Sequence, residues 1–93
     1  MQVLLLTVRI YAPWVQSLKE KRMEVKSLVA RLKSKFNVSV CEADAQDVHK
    51  TIVIAVAAVC ADTAKADSVA DHVLEYIASN TEGEIIEVSR ELR

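Results

Sequence analysis

Glycine and proline are nearly absent: Gly83 and Pro13 are the only ones in 93 residues. A glycine-rich phosphate loop needs bare backbone close to the anion, so this scarcity argues against that class of nucleotide site. It argues equally against long flexible linkers and low-complexity disorder. Aromatic residues are also few, at one Trp, two Tyr and one Phe. Any core must therefore be filled by Val, Leu, Ile and Ala. The longest apolar run, residues 52–61, has ten residues, half of the ~20 that a membrane-spanning helix needs, and no membrane partner is expected. The run from Val3 to Leu6 is too short for the apolar part of a secretory signal, and Arg9 soon follows. Cys41 and Cys60 lack the spacing of a metal or redox pair, and the two histidines, His49 and His72, are scattered from them. Reduced, buried thiols in a cytoplasmic protein are the reading, with a disulfide left open if paired strands bring the two together.

What the chain has instead is charge concentrated on one segment. Residues 17–36 hold seven Lys or Arg against two Glu, a surplus of five positive charges in a chain whose net charge is −1. Leu18, Val25, Leu28, Val29, Leu32 and Phe36 recur at helical spacing and form one apolar face. Ser17 is placed to cap this helix, with Glu20 completing a capping box, and Asn37 is placed to end it in a left-handed conformation. Lys19, Lys26 and Lys33, spaced by seven, make one stripe with Arg22 beside it. Lys21, Arg31 and Lys35 fall on the other flank. Glu20 and Glu24 are too few to neutralise these cations. The stripe reads as an anion-binding surface for RNA phosphates, or as a solvated face whose long stems cover apolar edges, the plainer of the two.

The remainder falls into short periodic segments. Residues 2–11 predict a first strand, with Leu4, Leu6, Val8 and Ile10 on its core face. Pro13 stops it, and Trp14 in the following loop is expected to cover one end of the core, or else to serve as an exposed contact that stacks on a base. Residues 38–45 predict a second strand with a bulge near Glu42. Thr51 to Cys60, apolar on both faces, predicts a central strand. Asp62 or Thr63 caps a second helix running to Ser79, buried through Ala66, Val69, Ala70, Val73 and Ile77 and acidic along Asp67, Asp71 and Glu75. Glu84 to Arg90 predicts a fourth strand with Ile86 and Val88 toward the core. Right-handed crossovers then give a single α+β domain over residues 1–93, a ferredoxin-like βαββαβ sandwich. Its four-stranded antiparallel sheet takes the order 4-1-3-2, with both helices on one face. The basic and acidic helices, side by side, would partly neutralise each other.

Candidate chemical sites are weak. Glu42, Asp44, Asp47 and His49 gather oxygen and nitrogen donors near the hairpin, but without a calcium-loop pattern. An edge strand kept soluble by charge explains them equally. No nucleophile has an adjacent base and a third orienting group, so no catalytic residue, metal or cofactor is assigned and no enzyme is expected. RNA-recognition domains share the strand and helix order but stack bases on aromatic residues of the two central strands. Here the third strand has none and the first has only Tyr11.

The block Gln16-Ser17-Leu18-Lys19-Glu20-Lys21-Arg22, then Val25-Lys26-Ser27-Leu28 and Lys35-Phe36-Asn37-Val38-Ser39-Val40, resembles the YlxP-like family of small bacterial proteins of unknown function. The resemblance continues through Glu42, Gln46-Asp47 and the apolar third strand. It implies a ferredoxin-like fold and, from the family's gene neighbourhood, a link to ribosome or RNA biology. It implies no catalytic residues. Family members often carry an aromatic after the glutamine-aspartate pair, about where this chain has His49.

Two functions follow as expectations. One is a non-enzymatic module that binds RNA or a ribosomal particle through Lys19, Arg22, Lys26, Lys33 and Trp14. The other is a small-molecule or protein-interaction domain acting as an oligomer. A homodimer through the open sheet face is expected because the third strand offers that face no polar residues.

Overall fold

The computed structural model describes residues 1–44 and 50–93, with Asp44 described by its backbone alone. The element order is β1 (Gln2–Tyr11), α1 (Leu18–Lys35), β2 (Ser39–Asp44), β3 (Thr51–Cys60), α2 (Thr63–Asn80) and β4 (Glu84–Leu92). The sheet order β2-β3-β1-β4 is the expected ferredoxin-like order read from the other edge. β1 and β3, the two most apolar strands, are central and pair antiparallel without a break from Gln2↔Cys60 to Tyr11↔Thr51.

Strand alternation divides the sheet into two faces. Leu4, Leu6, Val8 and Ile10 of β1 meet Ile52, Ile54, Val56, Ala58 and Cys60 of β3 on the helix side, and all nine are buried. α1 adds Val25, Leu28 and Leu32 to this core, and α2 adds Ala66, Ala70, Val73 and Ile77. The many alanines of α2 let it sit close to the sheet. Phe36 and Tyr76 close the gap between the helices with an edge-to-face contact at 5.6 Å.

Local chemistry sets the ends of the elements. Ser17 Oγ accepts from the Glu20 amide at 3.1 Å, and Glu20 Oε2 accepts from the Gln16 amide at 2.7 Å, one residue earlier than in the standard capping box. Asp62 caps α2 by accepting from the Lys65 amide. Lys50 Nζ donates to the carbonyls of Pro13 and Val15, tying the loop after β1 to the start of β3. At the far end of α1, Phe36 is the C-cap, in extended conformation at φ −126° and ψ 151°, and its amide donates to the Leu32 carbonyl.

Both edge strands carry irregularities. In β2 the register slips between Glu42 and Asp44, where the bulge was expected. In β4 a second slip sets Ile10 opposite Ile85 instead of Ile86. Ile85 therefore packs against the core and Ile86, expected there, is exposed, whereas Val88 keeps the expected side, opposite Val8, but is only partly covered. The sequence alternation of β4 is broken by this one extra residue. Cys41 is exposed and pairs with Ala55 on the side away from the helices, whereas Cys60 is buried on the helix side. Both thiols are free.

Gly83 is required by close approach. A Cβ there would lie 2.6 Å from Ile10 Cγ2 and 2.8 Å from the Tyr11 carbonyl oxygen. Since the backbone oxygen cannot swing aside, Gly83→Ala is expected to cost about 1–3 kcal/mol. Thermal unfolding should show it, because each kcal/mol moves Tm by roughly 4–8 °C in a domain of this size. An unchanged Tm would mean that the α2–β4 turn yields freely.

Candidate functional site

The face of α1 away from the core is built by the same spacing that builds the core. With Val25, Leu28 and Leu32 turned inward, Lys19, Arg22, Lys26 and Lys33 are all solvent-exposed. Arg22, Lys26 and Lys33 line a shallow depression between α1 and the β2 edge, together with Val25, Val29, Ala30, Cys41 and Glu42. None of the four cations has an ion-pair partner among the described residues. The two carboxylates of the helix are engaged elsewhere. Glu20 belongs to the cap, and Glu24 lies on the opposite flank with Ser27 and Arg31.

Lys21 does not join the second basic flank that spacing suggested. It is 1% exposed, and its Nζ lies 2.9 Å from Glu42 Oε2, whose side chain is 18% exposed. The approach is that of a charge contact and lacks the direction of a hydrogen bond to that oxygen. Lys21 occupies a core position of the stripe, three residues after Leu18 and four before Val25. Glu42 follows Val40 on the helix side of β2, opposite Ile54. Arg31 also leaves the flank, donating to the Asn80 carbonyl at 3.4 Å.

Trp14 is half-buried against the core, as expected of a residue covering its end. It lines a cleft of about 290 Å³ with Leu28, Arg31, Ile52, Asn80 and Thr81. That cleft is on the other flank of α1 from the lysine stripe, so the structure does not bring Trp14 together with Lys26 and Lys33. Of the acidic stripe of α2, Asp67 and Asp71 face β4, whereas Glu75 shares a surface depression with Lys35 of α1. Asp71 Oδ1 accepts from Arg90 at 2.6 Å and Asp67 lies 4.0 Å from the same guanidinium, which emerges from β4. For Asp67 and Asp71 the expected neutralisation between helices is therefore replaced by one between α2 and β4.

Of the hairpin cluster, Asp47 and His49 lie outside the described residues, as does the Asp44 side chain. Glu42 is committed to Lys21. Glu42 pairs with Ile54 and Asp44 with Val53, so the bulge sets the two acids at register positions of opposite faces. Among the described residues, no three His, Cys, Asp or Glu are gathered as metal ligands would be. No helix among them is long and apolar enough to cross a membrane.

Fold and site together define a small ferredoxin-like domain with one basic helix face and an open sheet face. The chain belongs to the family described as "Protein of unknown function (DUF503)", whose model matches residues 3–90. It is similar to the "Uncharacterized protein YlxP" of Bacillus subtilis (strain 168), at 37% identity over 63 residues, which is 68% of each chain.

The buried pair gives a direct test. Lys21→Met leaves the Glu42 carboxylate without its counter-charge and is expected to destabilise the fold by about 3–5 kcal/mol. Adding Glu42→Leu should recover part of that loss in urea unfolding. Additive losses in the double variant would show that the two side chains act independently.

Proposed function

We propose that the protein is a non-catalytic cytoplasmic module that binds RNA phosphates through the exposed face of α1, with Lys19, Arg22, Lys26 and Lys33 as the contacts. The observation that carries this reading is that these four cations share one helix face and have no ion-pair partner among the described residues. Cations that only solubilise a surface are usually interspersed with carboxylates. Here the nearest acids are taken up by the cap, by Lys21 and by Arg90, which leaves a local positive potential on a chain of net charge −1. The shallow depression beside the stripe includes the apolar Val25, Val29 and Ala30, which suits a backbone of alternating charge and sugar. Trp14 is left out of the contact surface because it lies on the other flank. Two free thiols, one exposed and one buried, are consistent with a reducing compartment.

The test uses ribosomes, the RNA that the family's gene neighbourhood implies, and a short fluorescent single-stranded RNA. Binding should weaken with salt at about −0.7 in the log–log slope per phosphate contacted, so roughly −3 for four contacts. Lys19→Ala, Arg22→Ala and Lys26→Ala combined should reduce the slope to about −0.7 and abolish cosedimentation with ribosomes. Unchanged cosedimentation of the folded triple variant would sink this site. Failure of the wild-type protein to bind either RNA would sink the function.

A further inference from the structure

The side of the sheet away from the helices has an unusual composition. β3 presents Thr51, Val53, Ala55, Ala57 and Val59 there; the one polar residue, Thr51, stands at the strand end, and Val53, beside Arg9, is already buried. By register, Val3, Leu5 and Thr7 of β1 stand beside Val59, Ala57 and Ala55, and Ser39 and Cys41 of β2 stand on the other flank of Ala57 and Ala55. Val59 is 72% exposed and Val3 36%. An antiparallel sheet that faces water ordinarily alternates to polar residues on that side, and β3 does not.

The chain's own last residues do not cover this face. Arg93 exchanges backbone hydrogen bonds with Val3, at 2.7 and 2.9 Å, and so continues β4 in the plane of the sheet. The charges around the face are largely matched within the copy: Arg9 lies 3.5 Å from Glu87, and Arg93 lies 3.2 Å from Glu91. With Glu84 also along β4, this rim does not attract phosphate, so nucleic acid is a poor occupant. A near-neutral, flat surface of Ala, Val, Ser and Thr fits another surface of the same kind. Two such faces stack about 10 Å apart, and small side chains allow that approach.

We propose that this face binds a second copy of the chain, sheet against sheet, about a two-fold axis. The area is sufficient. Four strands about 4.8 Å apart and about 29 Å in mean length give roughly 550 Å² per copy. Two copies bury roughly 1,100 Å², just above the ~1,000 Å² that a specific interface needs. A two-fold arrangement sets identical patches together, so one substitution on the face acts twice. The dimer does not depend on RNA binding, because α1 lies on the opposite side of the sheet.

Size exclusion with light scattering at high micromolar concentration tests it. The wild-type protein should show twice the 10.3 kDa chain mass. Ala57→Arg, at the centre of the face and outside the core, should run as a monomer with an unchanged circular dichroism spectrum and unchanged binding to the short single-stranded RNA. A monomeric wild-type protein overturns the proposal. So does a dimer that persists in both Ala57→Arg and Leu5→Glu, which would place the interface at the free edge of β4, where Ile86 and Leu92 are exposed. Should these variants fail to fold, the wild-type thiols give a second readout. Cys41 shares the face, and its reaction with a thiol reagent should slow as protein concentration rises. A rate independent of concentration overturns the proposal as well.

Discussion

The seat of α1 against β2 depends on one buried charge contact, the ion pair between Lys21 and Glu42. Burying two charges is weak support for stability, because desolvation offsets most of their attraction. Its effect is on geometry. α1 rests on the sheet through Val25, Leu28 and Leu32, aliphatic side chains that would tolerate a slide or a small rotation. Lys21 tolerates neither, since moving α1 by one residue turns it about 100° and carries the ammonium away from the carboxylate. With Nζ held at Glu42, the helix has one seat against β2. That seat decides which cations face water.

Much of this was legible from the chain. The six elements, the central place of β1 and β3, the caps at Ser17 and Asp62 and the bulge after Glu42 all follow from periodicity and turn chemistry. Lys21 was not legible, although its position was. It sits in step with Leu18, Val25, Leu28 and Leu32, where an aliphatic residue belongs, and its charge led to a place on the surface instead. A cation at a core position asks for an anion at a core-facing strand position. Glu42, next but one after Val40, is that anion. The bulge beyond it hid the match, because without a register slip Glu42 and Asp44 share a face.

The other misplacements have a common cause. The acidic stripe of α2 and the core face of β4 were both assigned from alternation within one element. Each is settled by a neighbour. Arg90 draws Asp67 and Asp71 to the β4 side of α2, away from α1. The extra residue in β4 exchanges Ile86 for Ile85 at the core. Position along a helix or strand fixes which residues share a face, but the partner across the gap decides what that face meets. The candidate RNA stripe was legible for the opposite reason, since solvent-exposed residues need no partner to define them.

The two faces of the sheet thus separate two kinds of chemistry. The helix side holds the buried Lys21–Glu42 pair and the exposed stripe of Lys19, Arg22, Lys26 and Lys33. The far side is small, flat and nearly neutral. In a dimer packed through that far side, sheets about 10 Å apart each carry a helix layer a further ~10 Å out, so the two α1 axes stand roughly 30 Å from each other on opposite surfaces. A short oligonucleotide cannot contact both stripes at once, because its backbone would have to pass round the whole sandwich. Two segments of a large folded RNA can, and the second contact is then made at the high effective concentration set by the first. If α1 binds RNA as proposed, such a dimer would favour extended RNA particles over free strands without any sequence-specific contact. It needs no aromatic platform on the sheet, and β3 has no aromatic residue to build one.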